Sequence, residues 1–211
     1  MQRQRHMKRR NQAGVVLILA IVVLVAMSLA AIALMRSSLT GNKVAGNLAF
    51  QQSATQSADV GVENAVSWLE QNRLGATLQS NIVRTGAGTK GYLASRADPD
   101  PTTGQTWAAW WDALAANVKN PAKEDGAGNA LADTAGNTTL YVIHRLCRTA
   151  GDPTANIGCQ TAPTANPGAG GSKGAGGGGP AGMAVQYYYR ITSRVTGARG
   201  TVSFVQVVVA M

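Results

Sequence analysis

The chain has 211 residues, only 14% of them charged and 5% aromatic, and its 19 basic and 10 acidic residues give a formal charge of +9. Arg3, Arg5, Lys8, Arg9 and Arg10 supply five of those positive charges with no acid among them, and the remaining 14 basic and 10 acidic residues leave a modest +4. Twenty of the 21 residues from Val15 to Met35 are apolar, which excludes an ordinary cytosolic domain, and basic charge gathered ahead of such a run removes most of the case for nucleic-acid binding.

Residues 1–14 read as a basic leader and Val15–Met35 as a membrane-spanning helix. Its 21 residues reach about 31 Å at 1.5 Å per residue, enough to cross a bilayer core. Basic residues on the N-terminal side keep that end in the cytoplasm and place the rest outside. The alternative is a cleaved secretory signal, for which Ala31-Ile32-Ala33 offers a small-x-small site; the apolar run is longer than such signals need.

From Arg36 to Asn72 there is no proline. Leu48, Thr55, Ala58, Val62, Val66 and Leu69, with Ala65 beside them, recur at helical spacing, opposite Gln51, Gln52, Gln56, Asp59, Glu63 and Glu70. Gly41, Gly46 and Gly61 are its weak points, and Asn72 and Gly75 are stop signals. Val15–Asn72 is therefore expected to be one long helix, or a helix bent at its glycines, apolar all round in its first half and amphipathic over residues 36–73.

Residues 74–211 are expected to form one exported globular domain. Arg73–Asp98 reads as loop. Gln105–Val118, with Trp107, Trp110, Trp111 and Leu114 three and four apart, reads as a short amphipathic helix whose tryptophans form core or, alternatively, a partner patch. Thr138–Arg148, Val185–Val195 and Thr201–Ala210 read as strands, the last two joined by a turn at Thr196–Gly200. Pro163–Gly182 is a glycine-rich surface loop. Its Ser172-Lys173-Gly174 has the wrong order for a phosphate-binding loop. Three strands against the amphipathic half of the helix give an α+β fold with a small antiparallel sheet.

Little in this domain suggests chemistry. Cys147 and Cys159, in a segment placed outside the membrane, are expected to pair as a disulfide. A metal site built on them has only His144 to add. A Cys147 nucleophile with His144 as base fails because positions i and i+3 of a strand face opposite sides. Asp98, Asp100, Asp112 and Asp152 form no paired-acid set, although Asp98, Asp100 and Thr102 leave a calcium site open. Asn137-Thr138-Thr139 matches a glycosylation acceptor. No catalytic residue, resident metal, cofactor or small-molecule substrate is expected.

The leader ending Gln12-Ala13-Gly14, the run Val15-Val16-Leu17-Ile18-Leu19, Met35-Arg36-Ser37-Ser38-Leu39, Val44-Ala45-Gly46-Asn47-Leu48-Ala49-Phe50-Gln51 and the helix Ala58–Glu70 together resemble a type IV pilin-like protein, in particular the PilX-type minor pilins. Tyr189-Arg190-Ile191-Thr192-Ser193-Arg194, through Gly197–Thr201 to the last apolar strand, resembles the same group; the stretch from about Leu74 to Met183 carries none of the likeness.

The resemblance implies that a prepilin peptidase cuts between Gly14 and Val15 and N-methylates Val15. It also implies that the subunit starts or caps a type IV pilus beside other minor pilins and the major pilin, passing from the inner membrane to the extracellular filament in support of adhesion, twitching motility or DNA uptake. Val44 stands where the group has methionine, and Val15 where major pilins have phenylalanine. The fifth mature position, usually glutamate, is Leu19. Without that carboxylate the subunit has no partner for the ammonium of one above it, which implies the tip. A tip pseudopilin of a type II secretion system shares these features. An anchored adhesin or secreted enzyme is the competing class.

Overall fold

The computed structural model describes residues 14–162, 185–197 and 200–211; the leader before Gly14, the expected glycine-rich loop over 163–182 and two residues of the expected hairpin turn lie outside them. Helix α1 runs Val15–Asn72, α2 Trp107–Ala113, and the strands are β1 Asn120–Pro121, β2 Thr138–Arg145, β3 Tyr188–Thr196 and β4 Val202–Ala210. The strands form one antiparallel sheet in the order β1-β2-β3-β4. The long N-terminal helix and this sheet make the α+β, pilin-like arrangement expected from the sequence.

Two compact units divide the chain, up to Ala49 and from Phe50 onward. In the first, α1 is exposed almost throughout. In the second, α1 buries Ala54, Ser57, Ala58, Gly61, Ala65 and Leu69, a stripe at three- and four-residue spacing. Ala65 and Leu69 pack with Leu78, Tyr92, Ala94, Tyr141, Ile143, Tyr189 and Ile191; Ala54 and Ala58 pack with Val195. The other face of the sheet meets α2, where Trp110 and Trp111 pack with Val142 and the half-buried Leu140 and Phe204. The domain is thus three layers deep, with the sheet in the middle.

The buried stripe differs from the expected one. Leu48 is 54% exposed and Thr55 is exposed, while the small residues Ser57 and Gly61 are buried. The reason is distance. A Cβ on Gly61 would lie 3.1 Å from Ser193 Oγ, 3.2 Å from Thr139 Cγ2 and 3.3 Å from Tyr141 Cδ1. The helix comes close enough that only small side chains fit between it and the strands. Gly61 is therefore a contact point rather than a weak one. The surface residues Gln51, Gln52, Gln56, Asp59, Glu63 and Glu70 are all exposed, as expected.

β1 is a fourth strand where three were expected. It has two residues, one of them Pro121, and pairs Asn120 with Tyr141. Buried Asn120 extends its reach, accepting from Gly91 N at 2.6 Å and donating to Gly91 O at 2.9 Å. Gly91 permits this because a Cβ there would sit 2.6 Å from Val118 Cα. The tryptophan helix is shorter than expected. Thr106 caps its start by accepting from Ala109 N, Leu114 leaves it in an extended conformation, and Ala116–Val118 follows as a separate 3-10 turn.

Gly61→Leu should lower the unfolding free energy by about 3 kcal/mol, because the added atoms meet the sheet on arrival. Gly46→Leu, where nothing lies within 4 Å of a Cβ, should leave it nearly unchanged; chemical denaturation of both variants measures the contrast.

Candidate functional site

The candidate assembly site is the exposed apolar part of α1. Gly14 precedes the helix with a φ of +140°, and the first turn presents Val15 at 68% and Leu19 at 59% exposure. Between Val15 and Met35 the one polar side chain, Ser28, donates to Leu24 O at 2.8 Å and so leaves no donor toward lipid or a neighbour. The segment is long and apolar enough to cross a membrane. A helical segment whose apolar side chains no described residue buries needs lipid or other subunits to cover it.

On the far face of the sheet a second group of polar residues comes together. His144 of β2 pairs in register with Arg190 of β3. The Arg190 guanidinium binds an Asp98 carboxylate oxygen and donates to Ala97 O at 2.6 Å, with its carbon 5.3 Å from the Trp107 ring centre and 5.9 Å from that of Trp110. Arg96 holds the other Asp98 oxygen at 2.9 Å. His144 lies beneath, fully buried, its ring 5.5 Å from that of Trp110 and both nitrogens without a hydrogen-bond partner among the described residues. Burial, reinforced by the nearby Arg190 charge and opposed by Asp98, pushes its pKa down to about 3, so it is neutral.

This arrangement binds the 96–98 segment and α2 to the sheet. It offers no nucleophile and no base with access to solvent. The sequence singled out His144 and Asp98 without bringing them together, and it missed Arg190; cross-strand register makes the meeting.

The remaining candidates resolve individually. Cys147 and Cys159 are disulfide-bonded and bridge antiparallel segments, which removes Cys147 as a nucleophile or metal ligand. Asp98 is held by two arginines. Asp100 accepts from the Thr102 hydroxyl at 2.7 Å and its N–H at 2.8 Å, bonds that hold its carboxyl below the usual range. Both Asp98 oxygens and Asp100 Oδ1 are therefore engaged within the protein. Asp112 pairs with Arg194, and Asp152 caps its own turn through Thr154. Among the described residues no group of three or more His, Cys, Asp or Glu could hold a metal.

Asn137 is a turn and docking residue rather than an accessible glycan acceptor. It is buried, and its side chain donates to Ser53 and Ser57 of α1, both at 2.9 Å. Asp133 closes the same network, accepting from Ser57 and from the N–H groups of Ala135 and Asn137. A sequence signal existed for this: Asp125-Gly-Ala-Gly-Asn129 and Asp133-Thr-Ala-Gly-Asn137 are near repeats, and both form the same side-chain-to-backbone turn. Trp110 and Trp111 are buried as core, while Trp107 remains 38% exposed.

Compared with known proteins, residues 13–63 match the family described as PilX N-terminal, which supports a PilX-type pilin and, at a general level, a type IV pilus minor pilin. The matched segment contains Gly14, the apolar half of α1 and the start of the stripe that meets the sheet. No curated protein and no solved structure matches the chain.

Replacing both cysteines by serine should cost about 3 kcal/mol, the chain-entropy value for a loop of this size, read as a lower denaturation midpoint. His144 gives a pH signature. Between its ordinary value of 6.5 and its folded value of about 3, the unfolded chain holds a proton that the folded one excludes. Stability from this site is present above pH 6.5 and lost as pH falls toward 3, with a slope of up to about 1.4 kcal/mol per pH unit. His144→Leu should flatten denaturation curves compared between pH 7 and pH 4 by about that slope.

Proposed function

We propose that this chain is a minor pilin that takes part in initiating or capping assembly of a type IV pilus, at or near the filament tip. The observation that carries the reading is the PilX N-terminal match over residues 13–63, lying on a helix whose first half exposes an unbroken apolar surface. Its work is assembly, not catalysis.

In this reading the subunit waits in the inner membrane with residues 1–14 in the cytoplasm, and Val15–Met35 contacts lipid. Prepilin peptidase cuts after Gly14 and methylates Val15. On assembly the apolar helix leaves lipid for the helices of neighbouring subunits, the major pilin and other minor pilins. Lipid tails are as apolar as those neighbours, so the transfer is decided by packing and by the few charges in the low-dielectric core.

Leu19 sets the position. The ammonium of Val15 can be offered to a carboxylate in the subunit below, but Leu19 has nothing to offer an ammonium from above. An unpaired charge at bilayer or filament-core depth costs several kcal/mol. A subunit placed above this one would bear that cost, so this subunit is favoured where none follows.

Intact mass and N-terminal sequencing of the membrane-extracted protein should give a start at Val15 that disappears when the prepilin peptidase is absent. A start near Leu34, or an uncut Met1, would remove the reading. Leu19→Glu should redistribute the subunit from the tips to the shafts of pili in immunogold labelling, and labelling that stays at the tips would overturn the charge argument.

A further inference from the structure

The two edges of the sheet are finished differently. Along the outer edge of β2, β1 pairs at Asn120 and Pro121, Ala122 N donates to Thr139 O, Leu93 exchanges bonds with Ile143 and Arg145, and Arg96 N donates to Cys147 O. That edge is filled. β4 ends the sheet on the other side, and among the described residues no strand pairs with its outer edge.

The register says which groups are left open. Tyr187 and Met211 exchange both backbone bonds, and Gly197 N donates to Thr201 O. Nine residue pairs lie between with no bulge. In an antiparallel ladder bonded and non-bonded pairs alternate, so Ser203, Val205, Val207 and Val209 bond to β3. Val202, Phe204, Gln206, Val208 and Ala210 direct their N–H and C=O groups outward.

Natural edges carry lysine, proline, inward charges or bulges that discourage pairing with another chain. Val-Ser-Phe-Val-Gln-Val-Val-Val-Ala has none of these. The nearest cations on the neighbouring strand, Arg190 and Arg194, are tied to Asp98 and Asp112. The edge is neutral and extended.

We infer that β4 pairs with an extended, uncharged strand from a different subunit of the same filament, a step that rests on the pilin reading above. Main-chain donors and acceptors in strand register are complemented only by another extended main chain, and a charged strand would bring an unpaired charge against β4. A second copy of this chain is the poorer occupant for two reasons. Antiparallel pairing of β4 with itself about Gln206 turns the parts of α1 from Phe50 to Asn72 that lie on the two sheets in opposite directions, whereas subunits of one polar filament share a direction. Head-to-tail pairing would need the outer edge of β2, which is filled. A five-residue ladder is too weak to hold two free proteins together. Between neighbours whose helices are already packed it is an intramolecular-like contact at high effective concentration.

The test uses the full chain in cells that assemble the filament, with the photo-crosslinking residue benzoylphenylalanine at Val202 and, as control, at exposed Val83. The expected result is an adduct from position 202 to a strand of a different pilus subunit, identified by mass spectrometry, and no matching adduct from position 83. Val208→Pro removes an outward N–H that β3 does not use, and should lower the adduct at least 10-fold while the disulfide and the thermal unfolding midpoint persist. Val208→Lys, at a position 53% exposed, should lower it as well without touching the ladder to β3. No adduct above control, an adduct to a second copy of this chain, or an adduct that survives both substitutions would overturn the inference. A mature start at Val15 without the adduct overturns strand pairing alone. An adduct to a protein outside the filament, with no start at Val15, overturns the pilin reading and this inference together.

Discussion

The close approach of α1 to β2 and β3 is the constraint from which the sheet-bearing unit follows. At Gly61 the space between helix and strands is narrower than a methyl group comfortably fills. Ala54, Ser57, Ala58 and Ala65 keep the same gap along the helix; toward its end Leu69 is fully buried, and the half-buried Val62, Val66 and Trp68 pack beside it. Short distance makes many weak dispersion contacts and expels water from the polar groups nearby. It also lets Ser57 reach across to Asp133 and Asn137, so the turn after β1 is bound to the helix through side chains. Without that approach the side of the sheet that carries Tyr141, Ile143 and Ile191 would lie bare to water, and an apolar sheet face must be buried against another element.

The opposite face is closed by a different chemistry. Trp110 and Trp111 supply area, and Arg190 supplies a charge neutralised by Asp98 and flanked by aromatic rings. His144 stays neutral because it lies under that charge in a dry layer. Buried ionic groups of this sort are not strong sources of stability, since desolvation offsets much of their attraction. Their geometry nevertheless ties the irregular 96–98 segment to β3 and keeps α2 over the strands.

The apolar half of α1 stands apart from both faces. None of the described residues covers its side chains. Soluble domains do not carry such a surface, and lipid and a filament interior both accept it. The family match falls on this segment and on the first residues of the close-packed stripe. That is where subunits of one filament must agree with one another. The rest of the sheet-bearing unit answers to its own core.

Much of this architecture was legible in the residues. The length and apolarity of Val15–Met35, the continuation to Asn72, the three main strands and the cysteine pair all follow from local rules: a 21-residue apolar run, a proline-free amphipathic stretch, β-branched clusters, and two cysteines close together in the sequence. Those signals are written along the chain because they depend on neighbours a few residues away. The choice of face on α1 was only partly legible. Periodicity favoured large residues such as Leu48, and the structure buries glycine and serine instead, because what decides is the distance to a sheet more than 70 residues away in sequence. The same holds for the strand-like use of Asn120, for the meeting of Arg190 with Asp98 and His144, and for the contrast between the filled edge of β2 and the edge of β4, which no described strand pairs. Hydrophobic patterning and helix length determined, from the sequence by itself, that this is an anchored α+β chain. Which side chains touch, which charges pair and which backbone groups remain free were decided by the tertiary structure, since each depends on strand register and interlayer distance between segments remote along the chain.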